Sequence, residues 1–305
     1  MTDPKEPLIL EIKGNSLDDG PGIRTVVFFK GCPLSCAWCH NVESKKAGPE
    51  ISFDANECVG CGTCREVCPE NALSPDNPYY VDRGRCTLCF ECADACPSGA
   101  LSPVGKRMSV DEVLGPVLRD KPFYTTSGGG CTLSGGEPAL FMEYTARLAE
   151  KLREHGVHVL LETSGFFDLD RFLDLLYPHL DMIYMDVKIM DPAAHKKFCG
   201  VDNTRILANM AALNEKARDG GVPILPRVPL VPGMTDNPEN LSAIASYLAD
   251  IGAERVGVMP YNPLWRDKTG KVGLPFEHGP EMERWMTPEH VRACRDHFTR
   301  LEIEG

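Results

Sequence analysis

Apolar runs of strand length recur along the chain, bounded by Gly, Pro and Asp. They cover residues 23–30, 131–133, 157–162, 182–187, 224–231 and 255–260. Between them the apolar positions change to helical spacing. Leu140, Tyr144, Leu148 and Leu152 recur every fourth residue, one stripe on a helix. The same spacing predicts helices over 169–177, 206–217, 239–248 and 289–301. Pro238 after Asn237 and Pro288 after Thr287 read as first-turn prolines behind capping residues. Ser109 with Glu112 fits a capping box that opens a helix running to about Asp120. Strands that alternate with helices predict a parallel sheet. A complete eight-unit barrel takes roughly 250 residues, and only six clear units are present. The expected fold is therefore α/β, an open partial (β/α)6 barrel, with a doubly wound sheet as the alternative.

Residues 54–103 break this pattern. Two similar units appear there: Cys58-Val-Gly-Cys61-Gly-Thr-Cys64-Arg-Glu-Val-Cys68-Pro69 and Cys86-Thr-Leu-Cys89-Phe-Glu-Cys92-Ala-Asp-Ala-Cys96-Pro97. They repeat with a 28-residue period, an internal duplication. The expected division is 1–53 as the first part of the barrel, 54–103 as an α+β ferredoxin-like insert, and 104–305 as the rest of the barrel.

Composition narrows the classes. The 305 residues include 32 Lys+Arg against 44 Asp+Glu, a formal charge of −12. That balance argues against nucleic acid, because little would neutralise phosphates, and against an anionic membrane surface. Residues 1–10 lack the basic start and long apolar core of a signal peptide. The longest apolar runs, such as 25–29 and 157–161, are far short of a membrane span. A cytoplasmic protein is expected. Fourteen cysteines in a reducing compartment read as metal-binding or redox groups.

Each unit of the insert is C-x-x-C-x-x-C-x-x-x-C-P. In the two-cluster bacterial arrangement the fourth cysteine ligates the other cluster. Cys58, Cys61, Cys64 and Cys96 are therefore expected on one [4Fe–4S] cluster, and Cys86, Cys89, Cys92 and Cys68 on the second. Zinc is the alternative, but it favours two pairs over tandem sets with a trailing Cys-Pro. Cys32-Pro33-Leu34-Ser35-Cys36-Ala37-Trp38-Cys39 differs: only three thiolates converge. A cubane held by three cysteines leaves one iron open, the mark of chemistry as opposed to electron transfer alone. Cys131, Cys199 and Cys294 stand apart in sequence and read as core or surface thiols.

The C-x-x-x-C-x-x-C motif with an aromatic before its last cysteine resembles the radical S-adenosylmethionine (SAM) enzymes. Asp19-Gly20-Pro21-Gly22-Ile23-Arg24-Thr25, Phe28-Phe29-Lys30-Gly31-Cys32-Pro33 and Cys39-His40-Asn41 resemble the glycyl-radical enzyme activating enzymes in particular. The likeness continues at intervals to about residue 262. It implies an anaerobic oxidoreductase with three [4Fe–4S] clusters and SAM. The open iron would chelate SAM, and one electron would cleave its C–S bond. The 5′-deoxyadenosyl radical would take hydrogen from a glycine near the C-terminus of a partner glycyl radical enzyme. A low-potential donor such as flavodoxin or ferredoxin and a monomeric state are expected. The insert sets the chain apart from the pyruvate formate-lyase activator. It is similar to activators of glycerol dehydratase, choline lyase, hydroxyphenylacetate decarboxylase, benzylsuccinate synthase and isethionate lyase, without selecting among them.

Functional residues of a barrel sit at the C-terminal ends of its strands. Here those ends carry Gly31-Cys32, then Ser134-Gly135-Gly136-Glu137-Pro138, then Glu162-Thr163-Ser164-Gly165. Asp186-Val187-Lys188, Arg227 and Pro260-Tyr261-Asn262 follow. Gly135 and Gly136 admit close approach of backbone to a ligand. Glu137 suits an ammonium, Lys188 a carboxylate, and Arg227 a carboxylate or ribose oxygen. Taken singly, GGE is a turn and Asp-x-Lys a solvated pair; together they read as one site. The resemblance assigns SAM contacts to Gly135, Gly136, Glu137, Pro138, Asp186 and Lys188, with Trp38 and His40 bordering the adenine. Glu162 stands where some relatives have Asp, and Asn262 where many have His. His155, His158, His179, His195, His278, His290 and His297 show no metal spacing. Trp265 and Trp285 are expected near the partner peptide. An electron-transfer protein of ferredoxin type explains the insert alone. A radical SAM enzyme acting on a small molecule or peptide fits poorly with the 19–24 string and with an insert placed this early in the chain. Each four-thiolate cluster adds about −2 and the three-thiolate one about −1, so the loaded protein is nearer roughly −17.

Overall fold

The structure, a computed structural model, describes residues 6–276 and 279–304; His278 lies outside them. Its strands in chain order are β1 (Leu8–Ser16), β2 (Arg24–Lys30), β3 (Ile51–Phe53), β4 (Leu101–Pro103), β5 (Lys106–Arg107) and β6 (Gly130–Gly135). They continue with β7 (His158–Thr163), β8 (Met182–Asp186), β9 (Ile224–Pro229), β10 (Arg255–Met259) and β11 (Glu302–Glu304). One sheet runs β11-β10-β9-β8-β7-β6-β2-β1-β5. From β2 to β11 every neighbour is parallel, whereas β1 pairs antiparallel with β2 and β5. The two edges, β11 and β5, do not pair with each other, so the sheet curls without closing. The six expected strands are β2 and β6–β10; β1, β5 and β11 extend them.

Helices cover the outer face. Leu148, Ala149 and Leu152 of helix Met142–Glu154 are fully buried against the sheet. Truncating such a leucine typically costs about 2–5 kcal/mol. Ser109 forms both halves of its capping box at helix Val110–Arg119. Asn237 and Thr287 cap the helices opened by Pro238 and Pro288. Two expected helices stop early. Leu169–Leu175 gives way to a 3-10 turn at Pro178. Pro288–Arg295 ends in a turn that buries Phe298 and sends the chain into β11.

The inner face of the sheet places chemistry by period 2. Leu160, Tyr184 and Leu225 form a small apolar cluster on β7, β8 and β9. Two residues further along the same strands stand Glu162, Asp186 and Arg227. An apolar floor thus lies directly beneath a charged layer.

The 54–103 segment leaves the barrel after β3 and returns through β4. These strands form a separate antiparallel ladder pairing Ile51 with Pro103 and Phe53 with Leu101. Short helices Thr63–Glu66 and Glu91–Asp94 lie within the two cysteine units. Arg83 donates to the carbonyls of Ile51 and Lys271, and Lys271 pairs with Asp54. The segment is thereby fastened to helix Arg266–Lys271 as well as to its own neck. Among the described residues no helix is long and apolar enough to cross a membrane.

Candidate active site

A cavity of about 380 Å³ opens where the parallel strands end. Cys32, Cys36 and Cys39 all line it, with Trp38 and His40 of the same loop. The opposite wall is Ser134, Gly135, Gly136, Glu162, Asp186, Lys188, Arg227 and Asn262. Residues from six separate strand ends therefore meet at one space.

The loop of three cysteines is held from two sides. Gly31 N–H donates to Ser44 and Cys32 N–H to Lys45, at 2.7 and 3.2 Å. Ser35 N–H donates to the Cys199 carbonyl and Ala37 N–H to that of Phe198, both at 2.9 Å. Cys199 is thus not apart in space. Helix Pro192–Cys199 carries it against the three-cysteine loop, where its carbonyl is the acceptor for Ser35. Sequence spacing had no signal for this contact. Cys131 and Cys294 are buried elsewhere, as expected.

The charged wall is one connected network. Arg227 donates to Glu162 and, at 3.2 Å, to Asp186; Lys188 donates to Asp186 at 2.7 Å. Ser134 donates to the other Glu162 oxygen. Burial opposes the charge of Asp186, yet Lys188 and Arg227 hold its carboxyl below the usual range. Burial likewise opposes the charges of Lys188 and Arg227. Their carboxylate partners win, and both cations are held more firmly protonated than usual. His40 goes the other way: burial, then Lys268, lowers it to about 4. A neutral His40 ring stacks on Trp265 at 6.2 Å and meets Tyr261 edge-on at 5.9 Å.

Four of the singled-out residues lie away from the cavity wall. Glu137 does not line the cavity; it is fully buried. Its carboxylate accepts from Ala139 N–H, Thr163 Oγ1, Ser164 N–H and Ser164 Oγ. Both oxygens are engaged inside the protein, so this group fixes the loop. Pro138 and Val187 are also buried outside the cavity wall. Gly135 and Gly136 do line it, but a Cβ there would strike β2 and its loop, 2.5 Å from Phe29 N and 2.2 Å from the Gly31 carbonyl. Trp265 is buried beside His40, so it lies too deep for a docking peptide; Trp285 is exposed.

The insert encloses two further hollows. Cys58, Cys61, Cys64 and Cys96 line one, with Phe53 and Tyr80. Cys68, Cys86, Cys89 and Cys92 line the other, with Ile51 and Phe90. The fourth cysteine of each unit stands with the first three of the other. Among the described residues no three Cys, His, Asp or Glu converge on a single-ion position.

Comparison with known proteins bears on what these sites hold. The profile of the Radical SAM superfamily matches residues 83–243. A 4Fe-4S dicluster domain matches 57–100, and a 4Fe-4S single cluster domain 18–66. The benzylsuccinate synthase activating enzyme of Thauera aromatica is 42% identical over 260 residues, 83% of this chain and 77% of that one. The (2S)-3-sulfopropanediol dehydratase activating enzyme of Klebsiella oxytoca is 34% identical over 306 residues, 97% of this chain and 95% of that one.

The chain belongs to the glycyl-radical enzyme activating enzymes.

As such an activating enzyme it is a radical SAM, iron–sulfur oxidoreductase with a glycyl radical enzyme as its partner. Its fold agrees with that of a radical SAM methyltransferase from Sphaerobacter thermophilus, at a TM-score of 0.54 and 15% identity, over 98% of this chain and 76% of that one.

Proposed function

We propose that this activating enzyme carries three [4Fe–4S] clusters and binds SAM in the 380 Å³ cavity. Cys32, Cys36 and Cys39 hold the catalytic cluster. Cys58, Cys61, Cys64 and Cys96 hold one auxiliary cluster, and Cys68, Cys86, Cys89 and Cys92 the other. The observation that carries this reading is the meeting of three thiols with a charged strand-end network on one wall, while two four-thiol sets surround separate hollows. Bound there, the cluster and SAM would supply reductive cleavage of the sulfonium and, from it, removal of hydrogen from the partner's glycine.

The protein's own part is positioning and exclusion of water. Lys188 donates to Asp186 and keeps N–H groups for a ligand carboxylate. Arg227, braced by Glu162 and Asp186, turns its remaining donors to the same space. Trp38, the neutral His40 and Asn262 border the adenine. Gly135 and Gly136 let β6 press against β2, and backbone of that turn faces the ligand amino group. Residues 1–53 and 104–305 form the barrel and 54–103 the auxiliary-cluster insert. The physiological reductant is a low-potential donor of flavodoxin or ferredoxin type. The enzyme works as a monomer in the cytoplasm of an anaerobically growing cell, on a glycine near its partner's C-terminus.

Anaerobic reconstitution followed by SAM and reductant tests the reading, with 5′-deoxyadenosine as the product measured. Cys36→Ala should abolish cleavage, whereas Cys89→Ala should still bind SAM. A fully loaded protein that yields no 5′-deoxyadenosine would refute the assignment. Adding candidate partners and recording the glycyl radical by electron paramagnetic resonance then identifies the substrate.

A further inference from the structure

The two hollows of the insert are not equivalent, although their cysteine units repeat. In the first, lined by Cys58, Cys61, Cys64 and Cys96, the Tyr80 hydroxyl lies 3.1 Å from the Cys64 sulfur. A cysteine that ligates iron carries no proton, so the tyrosine O–H is the donor of that pair. The Ser98 hydroxyl stands 3.7 Å from the Cys96 sulfur. In the second, lined by Cys68, Cys86, Cys89 and Cys92, the wall carries Ile51, Leu73 and Phe90 and no tyrosine. Among the described residues no side-chain hydroxyl is hydrogen-bonded to a sulfur of that set. The contact there runs from Ala72 N–H to the Cys68 sulfur, at 3.3 Å.

Tyr80 is held in place for this contact. It sits at φ +64°, a backbone conformation that bulky residues seldom adopt. Its N–H donates to the Asn77 carbonyl at 2.8 Å, and its own carbonyl accepts from Ser74 N–H at 2.9 Å. Its ring stacks on Phe53, with centroids 4.2 Å apart. Backbone and ring together fix where the hydroxyl stands. The sequence repeat adds a second difference. Ser98 follows Cys96 by two residues, and the equivalent place after Cys68 is Glu70, which lines the second hollow. A donor hydroxyl stands by one set where a carboxylate stands by the other.

We propose that Tyr80, acting through Cys64, is a positioning residue that makes the first auxiliary cluster the easier of the two to reduce. This rests on the assignment of Cys58, Cys61, Cys64 and Cys96 to one cluster and Cys68, Cys86, Cys89 and Cys92 to the other. Reduction adds one electron and places more negative charge on the ligand sulfurs. A hydrogen bond to such a sulfur stabilises the reduced state and raises the potential, whereas a nearby carboxylate lowers it. Both differences between the hollows act in the same direction. The first electron delivered to the insert therefore rests on the set that Tyr80 touches.

The test uses two backgrounds of the full chain, each anaerobically reconstituted. Cys89→Ala keeps the first auxiliary cluster, and Cys61→Ala keeps the second. A redox titration follows the electron paramagnetic resonance signal that does not respond to SAM. The midpoint in Cys89→Ala should lie above that in Cys61→Ala. Adding Tyr80→Phe, which keeps the ring and removes only the hydroxyl, should lower the first midpoint and leave the second unchanged. Resonance Raman spectra give a second readout that needs no change at Tyr80. In Cys89→Ala, transfer to heavy water should shift the iron–sulfur stretching bands, and absence of any shift overturns the proposal. An unchanged midpoint after Tyr80→Phe also overturns it, as does an equal fall in both backgrounds, which would mark a packing effect. A Cys61→Ala midpoint at or above that of Cys89→Ala overturns the ordering. A Cys61→Ala protein that still holds about 12 iron atoms would instead overturn the cluster assignment itself.

Discussion

Glu137 shows how a side chain can serve a cavity without lining it. Its four donors come from the loop after β6 and from the end of β7 and the residue that follows it, so one carboxylate ties two strand ends together. Glu137→Ala leaves those buried donors unmet and is expected to lower stability by about 3 kcal/mol. Chemical denaturation of the reconstituted protein measures this. A loss below about 0.5 kcal/mol, the range of surface substitutions, would show that the loops hold without it. Arg227 is different because it faces the cavity and bridges two carboxylates. Lysine cannot reproduce that fork. Arg227→Lys should weaken SAM binding about tenfold, roughly 1.4 kcal/mol, read by equilibrium binding; unchanged affinity would remove Arg227 from the site. The convergence of the strand ends was legible in the sequence, because a parallel sheet delivers them to one rim. It did not mark which faced inward. Gly-Gly-Glu-Pro reads as one motif, but the structure splits it into two cavity residues and two buried braces.

At the level of elements, strands buried on both faces were the most legible. Residues 157–162 and 255–260 are nearly continuous apolar runs, and β7 and β10 fall within a residue or two of them. β1 was hidden because its partly exposed face carries Glu11 and Lys13 among the apolar positions. β11 was hidden because two of its three residues are glutamate. Helix Pro192–Cys199 buries only His195 and Cys199 and so lacks an apolar stripe, yet it holds the cluster loop. Helix Arg266–Lys271 is a second link of this kind. Lys268 pairs with Glu43 beside the cluster loop, and Lys271 pairs with Asp54 of the insert. Arg83→Ala should loosen only that junction. Amide hydrogen exchange should rise in Arg266–Lys271 while β7 stays protected; equal change in both would mean that Arg83 supports the whole fold.

Across the whole molecule, the eleven cysteines between Cys32 and Cys96 divide into three sets by position in space, not by order in the chain. Loss of Cys96 should therefore resemble loss of Cys61, and loss of Cys68 should resemble loss of Cys89. Each variant is expected to fall from about 12 iron atoms to about 8, with two spectroscopic classes among the four. Grouping by sequence unit, Cys61 with Cys68 and Cys89 with Cys96, would refute the cross-pairing. The insert that carries eight of these cysteines meets the barrel through the β3–β4 ladder, where Ile51 faces Pro103 and Phe53 faces Leu101. Its entrance and exit are hydrogen-bonded neighbours. A two-residue turn joining those strands would make an ordinary hairpin of them. A segment with such ends can be gained or lost through a single event at one point in a gene. The sheet around it keeps its register, and the lineage on either side of that event inherits the same barrel.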